Sequence, residues 1–243
     1  MQQSYPQKKG IEQFLKEAFG YWSRTLVYQV LFSLVYFSVF FLVFYYSNVQ
    51  LGLLEKYENL YVNYSHDFTL YQQEAQKIAQ TDEYVTFFWI MMGTLIFLYP
   101  LNLGLFKIFR KLDLGEKPEI TDLFAGYSGV NFFLYISYAM LWFPVFMFSV
   151  QTLFLAGIWI LITLFTAPLM FFMNKRIFET FSFNIKAIRM YLLEIIVCLF
   201  VAIAFKYIGM LTCIAALFTF PFTNAMIYAL YKNIFNEGEH PLK

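Results

Sequence analysis

Uncharged runs long enough to cross a bilayer alternate with short charged segments along this chain. Residues 25–54, 84–106, 123–174 and 207–231 contain no Asp, Glu, Lys, Arg or His, and 195–205 adds a shorter run. One crossing takes roughly 20 apolar residues, so the 52-residue run 123–174 holds two spans, with a turn at Gln151-Thr152. The short run becomes a fifth span if it starts near Met190, with Glu194 at its polar end and Arg189 and Lys206 snorkelling outward. In the bilayer core every backbone polar group needs an internal partner, so each crossing is helical. The pattern predicts an all-α polytopic membrane protein, a single six-helix domain over 1–243. Its spans lie near 25–47, 84–106, 130–150, 153–173, 190–205 and 207–231, and residues 48–83 form a helical extracytoplasmic loop.

That loop carries a second pattern. Leu54, Tyr57, Tyr61, Tyr64, Phe68, Tyr71, Ala75 and Ile78 follow alternating spacings of three and four, an a/d stripe free of proline and largely aromatic. The chain must re-enter the membrane by residue 84, so the stripe predicts a helical hairpin turning at Ser65-His66-Asp67, with Asp67 as cap. Two uses of the stripe remain open: self-packing or rest on the bilayer surface, or a docking face for a partner protein centred on Leu54, Tyr57, Tyr61, Tyr64, Phe68 and Tyr71.

Elsewhere the polar exceptions are few. Pro100, Pro144, Pro168 and Pro221 each fall inside a span, free a backbone carbonyl and bend the helix. Ala215, Thr219 and Thr223 recur every four residues and form a narrow small-residue seam for helix packing. Asn102 and Asn224 are the most polar deep residues, each expected to bond a neighbouring helix. Thr121 or Asp122 caps a short helix leading into the third span. From Asn174 to Arg189, cations alternate with Ile177, Phe178, Phe181, Ile185 and Ile188, which reads as an amphipathic helix at the headgroup level.

Composition agrees with this picture, with 60% apolar, 23% aromatic and 14% charged residues. The basic residues set the orientation, since cytoplasmic loops retain Lys and Arg. Fourteen lie in the amino-terminal segment, the second and fourth loops and the carboxyl-terminal tail, against Lys56, Lys77 and Lys206 on the other side. Both termini are therefore expected in the cytoplasm. Residues 1–24 have no apolar core of a signal peptide, and a net charge of +1 argues against a nucleic-acid partner. Cys198 and Cys213 lie inside spans and read as packing residues rather than a disulfide or metal pair.

Candidate chemistry is sparse. Gly126-Tyr127-Ser128-Gly129 matches the short G-x-S-G around the serine of rhomboid intramembrane proteases, but an alcohol nucleophile needs a base. The only histidine after residue 66 is His240, in the polar tail. Two histidines on opposite sides of the membrane cannot build a multi-histidine metal site, and no phosphate-binding glycine motif is present. Ion coupling usually leaves ionisable side chains inside spans, and only Glu194 approaches one. No catalytic residue, cofactor or metal is expected.

Short motifs add a family likeness. Asp122-Leu123-Phe124-Ala125-Gly126-Tyr127 enters one span and Gly157-Ile158-Trp159 lies in the next, followed by Ala167-Pro168-Leu169. Lys186-Ala187-Ile188, Ile208-Gly209, Phe220-Pro221 and Tyr228-Ala229-Leu230-Tyr231 complete the set. Together, residues 122–235 resemble an uncharacterised family of bacterial six-helix integral membrane proteins, related to the membrane domain of some glycerophosphodiester phosphodiesterases. The resemblance implies a bacterial cytoplasmic membrane location and six helices, and carries over no catalytic residue. The expected function is that of a non-enzymatic accessory or scaffold subunit, in contact with the lipid bilayer and a membrane protein partner. A transporter or lipid-handling protein is the alternative.

Overall fold

The computed structural model describes residues 10–235, which are predominantly helical, with no strand among them. Six helical stretches are long and apolar enough to cross a membrane: Leu26–Gln50, Asp82–Asp113, Phe132–Val150, Leu153–Met173, Ile177–Met210 and Ile214–Ile234. The fold is that of an all-α, multi-pass membrane protein. Contacts divide it into two compact units, residues 35–98 and the remainder of the chain.

The chain opens with α1 (Ile11–Arg24), whose buried face is Phe14, Ala18 and Tyr21. At Thr25 the helix breaks and α2 (Leu26–Gln50) begins. The smaller unit comprises α2 from Val35, then α3 (Leu53–Tyr64), α4 (Phe68–Ala79) and α5 (Asp82–Leu98). Gly52 joins α2 to α3 with φ +64, a left-handed conformation that glycine adopts without strain. The Asp67 side chain accepts the N–H groups of Thr69 (2.9 Å) and Leu70 (3.1 Å) and so starts α4, as its sequence position predicts. Lys56 in the first turn of α3 pairs with Glu83 in the first turn of α5 at 3.1 Å.

The larger unit adds α6 (Leu101–Asp113), a 3₁₀ turn (Ile120–Tyr127), α7 (Val130–Val150), α8 (Leu153–Thr163), α9 (Thr166–Met173), α10 (Ile177–Met210), α11 (Cys213–Thr219) and α12 (Phe222–Ile234). The 3₁₀ turn lies backbone to backbone on α6. A Cβ at Gly104 would collide with the Leu123 carbonyl, and one at Gly126 with the Pro100 carbonyl. Only glycine allows that approach.

Three of the prolines do more than bend a helix. Pro100 and Pro221 stand immediately before α6 and α12, and Pro168 is in the first turn of α9. Proline suits the start of a helix, where its missing N–H costs nothing. Each of these spans therefore stops and restarts. Pro144, in contrast, sits inside α7 without interrupting it.

Two expectations are corrected. The turn between the fifth and sixth spans lies at Leu211-Thr212, not beside Lys206. Lys206 resembles a loop residue by its charge, but its ammonium sits 4.3 Å from the Phe220 ring centroid within the helical stretch. The fifth span also runs farther than the charges suggest, to Met210, and it meets the helix that follows Asn174 at a kink at Tyr191 (φ −131, ψ 30), close to its expected start. That segment does not pack by its apolar face. Thr180, Asn184 and Ala187 are buried, whereas Phe178 and Ile185 are exposed. In lipid an outward apolar face costs nothing, so the polar residues turn inward.

Candidate functional site

The hairpin α3–α4 divides the aromatic stripe between half-buried and exposed positions. Leu53 and Leu60, outside that stripe, are the buried residues of α3. The groove between the two helices is lined by Leu60, Tyr64 and Ile78, with Lys56, Glu74 and Lys77 at its edge. Of the candidate interface, Tyr64 and Tyr71 are half-buried. Leu54, Tyr57, Tyr61 and Phe68 face outward, with Tyr61 67% and Phe68 75% exposed, and Val62 joins them at 65%. On α3 the inner face is thus offset from the a/d stripe, whereas on α4 the stripe positions Tyr71, Ala75 and Ile78 are the half-buried apolar ones. Most of the aromatic positions are left open.

Within the larger unit several polar residues inside the spans are engaged with one another. Asn224 Nδ2 donates to Asn102 Oδ1 at 3.0 Å, across α12 and α6. Asn102 Nδ2 donates in turn to the Tyr99 carbonyl at 2.8 Å, satisfying an acceptor at the break before α6. The Tyr99 and Tyr138 rings pack edge to face with centroids 5.4 Å apart, and the Tyr138 hydroxyl reaches the Thr163 carbonyl at 3.4 Å. Asn184 Oδ1 accepts the Phe165 N–H at 2.8 Å, and the Thr166 and Thr180 hydroxyls are 2.9 Å apart. Each restart of the chain therefore has an amide or hydroxyl within it or against it. The α7–α8 pair is closed by Trp142 Nε1 on Thr163 Oγ1 (2.9 Å) and Trp159 Nε1 on the Trp142 carbonyl (3.3 Å).

The small-residue seam is only partly one surface. Thr219 packs on α10 against Gly209, where any Cβ would strike its side chain. Its hydroxyl bonds back to the Ala215 carbonyl at 3.1 Å rather than across to another helix. Thr223 lies beyond the break at Pro221, at the start of α12, and its hydroxyl is buried without a partner among the described residues.

Two ionic clusters flank the spans. Asp122 is buried, and its carboxylate receives Lys107 at 2.8 Å, Lys111 at 2.7 Å and the Glu119 N–H at 2.8 Å. Burial pushes this carboxyl up, but the two ammonium groups and the backbone donor outweigh it and hold it at about 2. Glu119, not Thr121 or Asp122, stands at the start of the 3₁₀ turn, and Asp122 reaches back to it from three residues later. The second cluster centres on Asp113, which accepts from Tyr21 (2.6 Å), Tyr228 (2.8 Å) and Lys232 (2.7 Å). Burial and then the Asp113 hydrogen bond push the Tyr21 phenol well above its ordinary range. These contacts fasten α1 to α6 and α12.

Ser128 is exposed at the end of the 3₁₀ turn, and His240 lies outside the described residues. The Cys198 thiol is free and buried. Asn184, Tyr99, Tyr138 and Asp113 were not singled out by sequence. Asn184 could have been, as the one amide on a helical face otherwise small or apolar. No family model, curated protein or solved structure matches this chain.

Proposed function

We propose that this chain is a non-enzymatic accessory or scaffold subunit of a membrane protein complex, docking its partner through the outward face of the α3–α4 hairpin. The observation that carries this reading is the exposure of Tyr57, Tyr61 and Phe68 on a hairpin whose closure is made by other residues. Aromatic side chains supply large contact area at low entropic cost, and clustered outside the lipid they mark a recognition surface. The reading without catalysis rests on the sequence, where Ser128 has no histidine to activate it. The family likeness supports a bacterial cytoplasmic membrane. The distribution of Lys and Arg supports cytoplasmic termini, and an even number of crossings returns the chain to the side where it began.

The test is a photo-crosslinking amino acid placed at Tyr61 or, as control, at Gln72, in native membranes. The expected outcome is one discrete adduct with a membrane protein at Tyr61 and none at Gln72. Adducts with lipid alone at Tyr61 would overturn the docking role.

A second reading, a transporter or lipid-handling protein, draws on one observation: the restarted helices α6 and α12 meet at Asn102 and Asn224. Broken helices in membrane proteins can frame a binding site. Its signature is a ligand-dependent rise in thermal stability that Asn102→Leu or Asn224→Leu abolishes.

A further inference from the structure

The strongest unassigned feature is a recess of about 690 Å³ beside α1, bounded by Asp113 and Lys232. Its walls hold Lys16, Glu17, Gly20, Tyr21 and Arg24. The charges in this wall divide into spent and unspent. Asp113 is occupied by Tyr21, Tyr228 and Lys232, and Lys232 is neutralised by that contact. Glu17 keeps its negative charge, with its oxygens turned to the neutral amides of Asn233 (2.8 Å) and Gln13 (3.2 Å). Lys16 and Arg24 are exposed and have no hydrogen-bond or ion-pair partner among the described residues.

Between those two cations, four residues from each, lies Gly20. Helical geometry places Lys16 and Arg24 roughly 6 Å above and below it along one face, within reach of both side chains. A glycine inside a helix is less favourable than alanine. Gly104 and Gly126 are needed for close backbone approach, whereas at Gly20, as at Gly93 and Gly157, a Cβ would meet nothing within 4 Å; of these three, Gly20 is the one that lines this recess. The bare floor is open to something outside the chain.

Depth identifies its chemistry. Asp113 ends the helix of the second span, Lys232 lies in the last turn of the sixth, and α1 leads directly into the first. The recess therefore opens where the spans leave the hydrocarbon, at the level of lipid headgroups. We propose that it binds a phosphate-bearing anion over Gly20, held between Lys16 and Arg24. The anion is either the phosphodiester of an acidic lipid or a soluble phosphate. The Asp113 cluster fixes the wall, and the two unpaired cations supply the attraction.

The proposal is tested on full-length protein in a neutral detergent, by the thermal midpoint during titration. The probes are phosphatidylglycerol, phosphatidylcholine, sodium phosphate and glycerol phosphate. The expected result is a saturable rise with phosphatidylglycerol and none with phosphatidylcholine. A rise with the soluble phosphates as well assigns the site to a soluble anion, and its absence assigns it to lipid. Lys16→Gln with Arg24→Gln weakens the apparent affinity about 25-fold, each cation near an anionic surface being worth about fivefold. Gly20→Leu keeps every charge but fills the floor, and abolishes the rise. If no phosphate compound raises the midpoint, or if both variants respond as the native protein does, the site does not exist. If Gly20→Leu cannot be purified, the charge variant alone decides.

Discussion

The polar interior of the larger unit and the aromatic hairpin of the smaller one are opposites. Inside the spans, where an unpaired amide is costly, Asn102, Asn184 and Asn224 each have a partner; Asn102 and Asn224 lie where the chain restarts, and Asn184 reaches such a place from α10. On the hairpin, where an exposed ring gains nothing from water, Tyr61 and Phe68 have no cover within the unit. The first region has polar groups in an apolar place, committed to holding broken helices. The second has apolar groups in a polar place, committed to nothing within the hairpin. The comparison separates residues that keep the fold from residues available to a partner.

The largest expected effect comes from the committed carboxylate. Asp122→Ala strands Lys107 and Lys111 and is expected to cost about 3 kcal/mol, read from the unfolding midpoint in detergent. Its acid dependence has a definite sign. The folded carboxyl sits at about 2, below its usual 3.8, so its contribution is complete above about pH 4 and is lost as pH falls through 2. That loss is about 2 kcal/mol, and Asp122→Asn is expected to remove this part of the acid slope. Next in size, Asn102→Leu leaves the Asn224 amide without its acceptor and is expected to cost about 1–2 kcal/mol. The double variant with Asn224→Leu is expected to cost less than the sum of the two, with a coupling of about 1 kcal/mol in a double-mutant cycle. Strict additivity would show that the two amides do not act as a pair. A smaller and more local effect is expected of Asp67→Ala, about 1 kcal/mol, appearing as faster amide exchange at the start of α4. Smallest of all, Tyr61→Ser with Phe68→Ser is expected to change stability by less than about 0.5 kcal/mol, whereas Leu60→Ser, buried in the hairpin, costs about 2 kcal/mol or more. Equal losses from the exposed pair and from Leu60 would erase the contrast.

Much of this was legible in the chain. Uncharged runs gave six apolar stretches, and the three-and-four spacing with Asp67 gave the hairpin and its cap, because burial period and capping are local properties. The offset of the packing face from Tyr57 and Tyr61 to Leu53 and Leu60 was not local, since it depends on how α3 meets α4. Asn102 and Asn224 could be marked as polar and deep, but their pairing joins residues 122 positions apart, which spacing cannot reveal. Lys206 misled for a physical reason: a cation normally marks a loop, and here an aromatic ring receives it. Asp113 was missed because one acid near a helix end resembles an ordinary solvated charge until Tyr21, Tyr228 and Lys232 converge on it.

The central claim, that the hairpin's open aromatic face is where this chain meets its partner, is tested most directly by purifying it from native membranes in a mild detergent. The mass and composition of the particle are compared for the native chain and for Tyr61→Ser with Phe68→Ser. The expected result is a stoichiometric complex for the native chain and a lone, equally stable protein for the variant. A lone native protein, or a variant that keeps the same complex, would contradict it.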